Sequence, residues 1–330
     1  MNLNDYTHEP VLLDEAIEAL ALRPHGCYVD CTFGRGGHSR AILERLGKRG
    51  RLLAFDKDPD ALRFAGEEFA GDPRFSCYAG SFTRLAEVVD SLGLAGLVDG
   101  LLFDLGVSSP QLDDASRGFS FLRDGVLDMR MNPTTGSSAA TWINRAAQAE
   151  ISAVLRNFGE ERYAGRIARA IVARRAEQSI TSTRQLAELI KTVVPTLERD
   201  KHPATRSFQA IRIHINNELE ELRTALTQAL DALRVGGRLA VISFHSGEDR
   251  IVKRFIRQQF RADPYPSYLP VAAAQIKPAL RAVGQPQQPG AAANASNPRG
   301  RSATLRVAEK LSGTSKNALH SIFRDGNGKV

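Results

Sequence analysis

Gly34, Gly36 and Gly37, with His38 behind them, follow the apolar run Tyr28–Cys31, and an acid, Asp56, closes the next apolar run. A buried strand that breaks into a glycine turn at a helix mouth lets backbone approach a ligand closely, and an acid roughly 20 residues on can grip ribose hydroxyls. The chemistry implied is the binding of an adenosine-bearing cofactor. Dinucleotides and S-adenosylmethionine (SAM) both qualify. A dinucleotide fingerprint, G-x-G-x-x-G, aims a helix dipole at pyrophosphate; here Ser39 stands where the third glycine would be. SAM has no phosphate to neutralise, so the departure favours a methyltransferase, with an NAD enzyme and a plain surface glycine turn as the alternatives.

In an open parallel sheet, ligands sit beyond the carboxyl ends of the strands, so the residues that follow each strand carry the information. Gly36, Gly37 and His38 follow the first, Asp56 ends the second, Phe82 follows the third and Asp104 ends the fourth. Each has a structural alternative: His38 as an exposed helix-start residue, Asp56 as a helix N-cap, Phe82 as core. The fourth end is the most specific, because Val98–Asp104 runs into Leu105-Gly106-Val107-Ser108-Ser109-Pro110-Gln111. An exocyclic amine has its lone pair delocalised into the ring, so acceptors on its protons must hold it and raise its nucleophilicity. Asp104 and Ser108 are the candidate catalytic groups for that task, with a simple strand-closing turn as the alternative.

The elements that must position these groups alternate. Strands are expected at Tyr28–Cys31, Arg51–Phe55, Phe75–Tyr78 and Val98–Asp104, with helices near 39–46 and 58–70 between them, which implies βαβ units and a parallel sheet. Leu105 to about Ser137 shows no sustained period, and a loop that long usually works at a site. Helical periodicity then marks Ala149–Phe158, Glu160–Glu177 and Thr183–Val193, with Ser182 or Thr183 as N-cap, and one long amphipathic helix over Phe208–Leu233 that ends at Gly236-Gly237. Arg238–Phe244 and Thr304–Glu309 read as strands that resume the sheet. Seven of the 15 prolines fall between Asp263 and Arg301, which reads as a mobile loop over about 263–301. The expected organisation is an α/β, doubly wound, mostly parallel sheet domain over 1–112 and 208–330, with a mostly helical insert at 113–207.

The chain has 330 residues and a formal charge of +7. Thirteen Lys and Arg against seven Asp and Glu lie between Ser138 and His214, so most of the excess sits in the helical tract. Such a patch favours a polyanion, most commonly nucleic acid. Cys27, Cys31 and Cys77 lie in apolar runs without Cys-x-x-Cys spacing, so they read as reduced core residues and no metal site is expected. Met1–Pro10 lacks an apolar signal segment and no apolar run approaches the ~20 residues of a membrane span, so a cytoplasmic protein is expected.

In order and spacing, His8–Leu13 (HEPVLL), Asp30–Ser39 (DCTFGRGGHS), Asp104–Leu112 (DLGVSSPQL), Arg117–Met131 (RGFSFLRDGVLDMRM), His202–Arg206 (HPATR) and Ser243–Arg250 (SFHSGEDR) resemble the bacterial 16S rRNA cytosine-N4 methyltransferases, the RsmH or MraW family. The resemblance covers nearly the whole chain. It implies a class I SAM-dependent methyltransferase that transfers a methyl group to the N4 amine of one cytosine in the decoding (P-site) region of 16S rRNA, with 16S rRNA or the small ribosomal subunit as partner. The implied cofactor contacts are Gly36, Gly37, His38, Asp56, Phe82, Asp104 and Gln111. Two departures lie beside the site: Cys31 where glycine is frequent, and Gly247 where leucine is usual.

On this reading Arg117, Phe119, Phe121 and Arg123 form a base-stacking loop with positive flanks, although both phenylalanines also suit a core. Arg162, Arg166 and Arg169 share a helix face that suits a phosphate track or plain solvation, and Arg206 reaches RNA or pairs with an acid. His245 faces the substrate amine or orients the strand end. Alternative functions are methylation of another nucleic-acid or protein acceptor on the same scaffold, and a ribosome-assembly factor without turnover.

Overall fold

A computed structural model describes residues 10–195, 202–261, 278–290 and 297–311. The first part alternates as the apolar runs require: α1 (Leu13–Ala19), β1 (Cys27–Asp30), α2 (Gly37–Arg45), β2 (Arg51–Asp56), α3 (Pro59–Glu68), β3 (Phe75–Ala79), α4 (Leu85–Ser91) and β4 (Val98–Asp104). Then come α5 (Ser109–Asp113), α6 (Ala139–Ile143), α7 (Gln148–Gly159), α8 (Ala164–Glu177), α9 (Thr183–Val193) and α10 (Thr205–Asn216). The chain closes with α11 (Glu218–Ala232), β5 (Leu233–Ser243), α12 (Ser246–Arg261), β6 (Leu280–Ala282) and β7 (Thr304–Lys310). Two compact units result, one of Met1–Gly106 with Leu219–Val330 and the other Val107–Glu218.

The first unit is built on a seven-stranded sheet in the order β3-β2-β1-β4-β5-β7-β6. β1 to β5 pair in parallel, while β7 runs antiparallel to both β5 and β6. The chain steps outward from β1 through β2 to β3, then returns to β4 on the other side of β1, so the topological switch lies between β1 and β4. Successive side chains of a strand point to opposite faces, and the core divides accordingly. Val29, Leu53, Phe55, Leu101, Phe103, Leu239 and Val241 pack with α4, α11 and α12. Tyr28, Leu52, Ala54, Leu102, Ala240 and Ile242 pack with α1, α2 and α3. Strands buried on both faces need near-continuous apolar sequence, which is what made these runs legible.

In the second unit α7 packs against α8 and α10, and α8 against α9. α9 starts at the expected Ser182, whose hydroxyl accepts the Gln185 amide while Gln185 returns a bond to the Ser182 amide. Gly159 lets α10 come close, since a Cβ there would lie 2.5 Å from the carbonyl oxygen of Arg206. The segment that precedes α6 is pinned from α10. The Asn216 side-chain oxygen accepts the Met131 amide at 2.7 Å, and its NH2 donates to the Met129 carbonyl at 2.7 Å.

Several elements depart from the sequence expectation. The single helix over Phe208–Leu233 is two helices, because Asn217 adopts φ 52° and breaks the run; asparagine is among the few residues that visit this region readily. The division between units falls at that break and just after β4, outside the expected 113–207. β5 starts at Leu233, before Gly236, and its pairing with β4 shifts register between Val98 and Gly100. The 105–137 stretch contains α5. Within the expected 263–301 loop, Leu280–Ala282 forms an edge strand and Gln287 bridges Leu305, while 262–277 and 291–296 lie outside the described residues. Among the described residues no helix is long and apolar enough to cross a membrane.

Losing a buried side chain that satisfies two backbone groups costs about 1–3 kcal/mol. Asn216→Ala is therefore expected to lower stability in urea by that amount and to speed amide exchange over 127–131. Unchanged exchange there would remove Asn216 as the pin.

Candidate active site at the carboxyl edge of the sheet

Three adjacent strands, β2, β1 and β4, each end in an aspartate: Asp56, Asp30 and Asp104. Parallel pairing brings these ends to one edge. The first two carboxylates hold backbone. Asp56 accepts the Gly34 amide at 2.7 Å through Oδ2 and the Asp58 amide at 2.9 Å through Oδ1. The N-cap of α3 is Asp58, which accepts from the Asp60 amide; Asp56 instead ties the glycine turn to β2. Asp30 takes the Ser39 hydroxyl at 2.7 Å and the Thr32 amide at 3.1 Å. The Thr32 hydroxyl in turn accepts the Asp104 amide at 2.7 Å, which joins the ends of β1 and β4.

Gly34 and Gly36 turn the chain with φ of 57° and 71°. At Gly36 a Cβ would also meet the Phe69 ring at 2.6 Å, so no other residue fits. His38, at the start of α2, is buried, contrary to an exposed helix-start role. Burial pulls its pKa down to about 4 against a backbone hydrogen bond to Val11, so it is neutral at physiological pH.

Asp104 behaves differently from its two neighbours. Its Oδ1 is sealed without a hydrogen-bond partner, as is Nε2 of His38, while the other atoms of the two groups, Asp104 Oδ2 and His38 Nδ1, lie 3.6 Å apart. Burial first, then the charges of Asp30 and Glu248, push Asp104 up to about 8. Burial likewise raises Asp30 to about 6. The groups acting on Asp104 are acids, so a cationic ligand is favoured there and a pyrophosphate is not. SAM carries a sulfonium and an ammonium. These acids suit SAM better than a dinucleotide.

Phe82 opens a short 3-10 turn after β3 and is partly buried edge-on against Phe103, with centroids 5.5 Å apart. Beside it lies a network that the sequence did not suggest. Glu221 of α11 accepts both the Lys57 ammonium at 2.6 Å and the Ser81 hydroxyl at 2.8 Å on one oxygen, Oε2. At the end of β5, Glu248 accepts the Phe244 and His245 amides, and Nδ1 of His245 accepts the Gly247 amide at 3.1 Å. These bonds give His245 a role in shaping the β5–α12 turn. Cys31 is buried, and burial drives its thiol pKa well up, which leaves it inert.

In the helical unit, Gln111 is buried and its side-chain oxygen accepts the Ser108 amide at 2.9 Å at the start of α5. Arg117 and Phe119 are both buried, which for Phe119 is the core alternative. The Arg117 guanidinium donates to the carbonyls of Arg130 and Met131, and Phe119 joins the core of the unit. Phe121 lies between His202 and Phe208, at 4.6 and 4.9 Å between centroids. Leu122, Arg123 and Asp124 are exposed in that loop. Arg162, Arg166 and Arg169 are exposed, but Arg162 sits in the turn before α8, so only Arg166 and Arg169 share the helix. Arg206 is partly buried in the first turn of α10.

A doubly wound sheet with a glycine turn after β1, an acid ending β2 and a cation-seeking acid ending β4 defines a class I SAM-dependent methyltransferase. The chain belongs to the MraW methylase family, whose model matches residues 5–311. Solved structures of similar fold include an rRNA methylase from Streptococcus thermophilus, 14% identical with a TM-score of 0.41, covering 91% of this chain and 94% of that one. Another is a Streptococcus mutans protein solved in complex with SAH, 14% identical with a TM-score of 0.41, covering 91% and 97%.

If Asp104 holds a proton in the free protein, a cationic cofactor expels it. Below about pH 8 the acid is mostly protonated, so SAM affinity is expected to rise with pH toward 8, by up to roughly tenfold per unit, and then to level off. Calorimetry at pH 7 in buffers of different ionisation enthalpy should show close to one proton released, and Asp104→Asn should abolish both effects. A flat pH profile in the unaltered protein would refute the linkage.

Proposed function

We propose that this protein transfers the methyl group of SAM to the N4 amine of a cytosine in the decoding region of 16S rRNA. The single observation that carries the reading is Asp104: a strand-end acid held among acids, with one sealed oxygen still short of a donor. It is supported by membership of the MraW methylase family and by the exposed arginines of the helical unit.

When bound, SAM supplies an electrophilic methyl on a positively charged sulfur. The chain's own residues do the rest. The Gly34–Gly37 turn, fixed by Asp56, admits the cofactor to the switch point, and Asp56 keeps acceptor capacity toward ribose hydroxyls beyond its two amide bonds. Phe82 offers a ring for adenine. Gln111 is proposed as a further cofactor contact.

Asp104, ionised once its proton is displaced, accepts a hydrogen bond from the target amine, which localises its lone pair as it attacks; Ser108 is a separate candidate for the same task. Attack forms the N–CH3 bond as the S–CH3 bond breaks. The resulting ammonium on an aromatic ring is strongly acidic and gives its proton to water or to Asp104, so no dedicated strong base is needed. Arg166 and Arg169 of α8, with Arg162 before it and Arg206 on α10, supply charge for phosphates. In the folded chain Leu122 and Arg123 replace Arg117 and Phe119 as the loop's outward groups.

Incubation with tritiated SAM and small-subunit particles lacking the modification is expected to label N4 of a single cytosine. Label on another atom would establish a different acceptor. SAM binding without label on any acceptor would favour an assembly factor without turnover. Neutralising Arg162, Arg166 and Arg169 together is expected to weaken RNA binding while SAM affinity stays unchanged. The log–log salt slope should fall by about 0.7 for each lost phosphate contact on single-stranded RNA. Equal slopes would retire the arginines.

A further inference from the structure

We propose that Glu221 is a positioning residue for the nucleoside end of the SAM site, acting through the two loops that it joins. The proposal rests on the cofactor site above, in particular on Asp56 for the ribose and Phe82 for the adenine.

Lys57 follows Asp56, and Ser81 precedes Phe82. β2 and β3 are paired to their last residues, Asp56 opposite Ala79, and the Gly80 amide donates to the Asp56 carbonyl at 2.8 Å. Lys57 and Ser81 open the two connections that follow that bond. One carboxylate oxygen of α11 joins them, with the Lys57 ammonium at 2.6 Å and the Ser81 hydroxyl at 2.8 Å. Both members of the ion pair are only 17% exposed, so the contact is largely shielded from solvent. An exposed lysine pair would be worth little; a shielded, shared oxygen fixes geometry.

The anchor is rigid. Leu222, Leu226 and Leu230 bury one face of α11 in the core. Seven residues beyond Glu221, on the same side of the helix, Gln228 accepts the Ala86 amide at 3.1 Å. α11 therefore grips the chain on both sides of Phe82. Ser81 is doubly used, because its hydroxyl also accepts the Thr83 amide at 3.2 Å and so sets the turn that presents Phe82. The ribose-facing acid and the adenine-facing ring thus have their spacing set by a residue that touches neither ligand group. Binding energy from two contacts adds fully only when their separation matches the ligand beforehand.

The test compares Glu221→Ala and Glu221→Gln with Asp56→Ala, by calorimetric titration with SAM and with 5′-methylthioadenosine, which keeps the nucleoside and lacks the amino acid. Glu221→Ala is expected to weaken both ligands by about tenfold and to the same extent. Glu221→Gln, which can still accept from Ser81, should lose about threefold. In turnover, KM for SAM should rise by more than kcat falls, with KM for RNA unmoved. Double substitution with Lys57→Met should add little to Glu221→Ala, since one hub is lost in both.

Affinity of Glu221→Ala within twofold of the unaltered protein, alongside a clear loss in Asp56→Ala, would overturn the proposal. A loss for SAM without one for 5′-methylthioadenosine would overturn it too. Should Glu221→Ala fail to fold, Glu221→Gln at unaltered affinity would do the same. If Asp56→Ala itself binds normally, the assignment of the cofactor site fails first.

Discussion

The hydrogen bond from the Gly34 amide to Asp56 is the constraint on which the cofactor site depends. It fixes the left-handed turn after β1 to the end of β2, and under the proposed function a ribose would draw on the same acceptor. A carboxylate does both because each oxygen has more than one lone-pair direction. An alanine at this strand end would leave the Gly34 amide without its partner and the turn without its tether. Asp56 is thus a structural residue of the turn whatever else it binds.

The neighbouring strand ends show what happens when this satisfaction is incomplete. Asp30 is matched by Ser39 and Thr32, so its burial raises its pKa only to about 6. Asp104 has a sealed, unpaired oxygen and acidic neighbours, and rises to about 8. Desolvation of equal residue types at one sheet edge thus produces different groups because the local donors differ. An acid left short of donors is a stored preference for a cation or a proton, and in a crevice at a topological switch point that preference is a functional signal.

The strands, the glycine turn and the Ser182 cap were legible in sequence because each is written within a few residues: apolar continuity, φ-positive positions, a reciprocal cap. The strand-end candidates followed from the parallel sheet. What escaped depends on distance or on a single backbone angle. Glu221 meets Lys57 and Ser81 across more than a hundred residues, and nothing local marks it among the acids of α11. The break at Asn217 interrupts no apolar periodicity, since helices on either side continue it. Arg117 and Phe119 misled for a chemical reason: arginine beside aromatics suits RNA, but it equally suits a buried guanidinium that satisfies backbone carbonyls. Sequence composition cannot choose between these; the carbonyls of Arg130 and Met131 do.

The chemistry asks the chain for two opposed electrostatic environments. A sulfonium cofactor wants a crevice of acids with low dielectric, whereas RNA phosphates want exposed cations in water. Low dielectric strengthens the first interaction, while the second depends on counterion release and so needs solvent. The proposed function would meet both by segregation: the acids end the strands of the sheet unit, and Arg162, Arg166 and Arg169 are exposed on the helical unit. An insertion after β4 suits this arrangement because it leaves Asp56, Asp30 and Asp104 on three contiguous strands. Placing the same cations along the strand-end loops would pair them with those aspartates, lower the carboxylate pKa values and weaken the very preference for a positively charged cofactor.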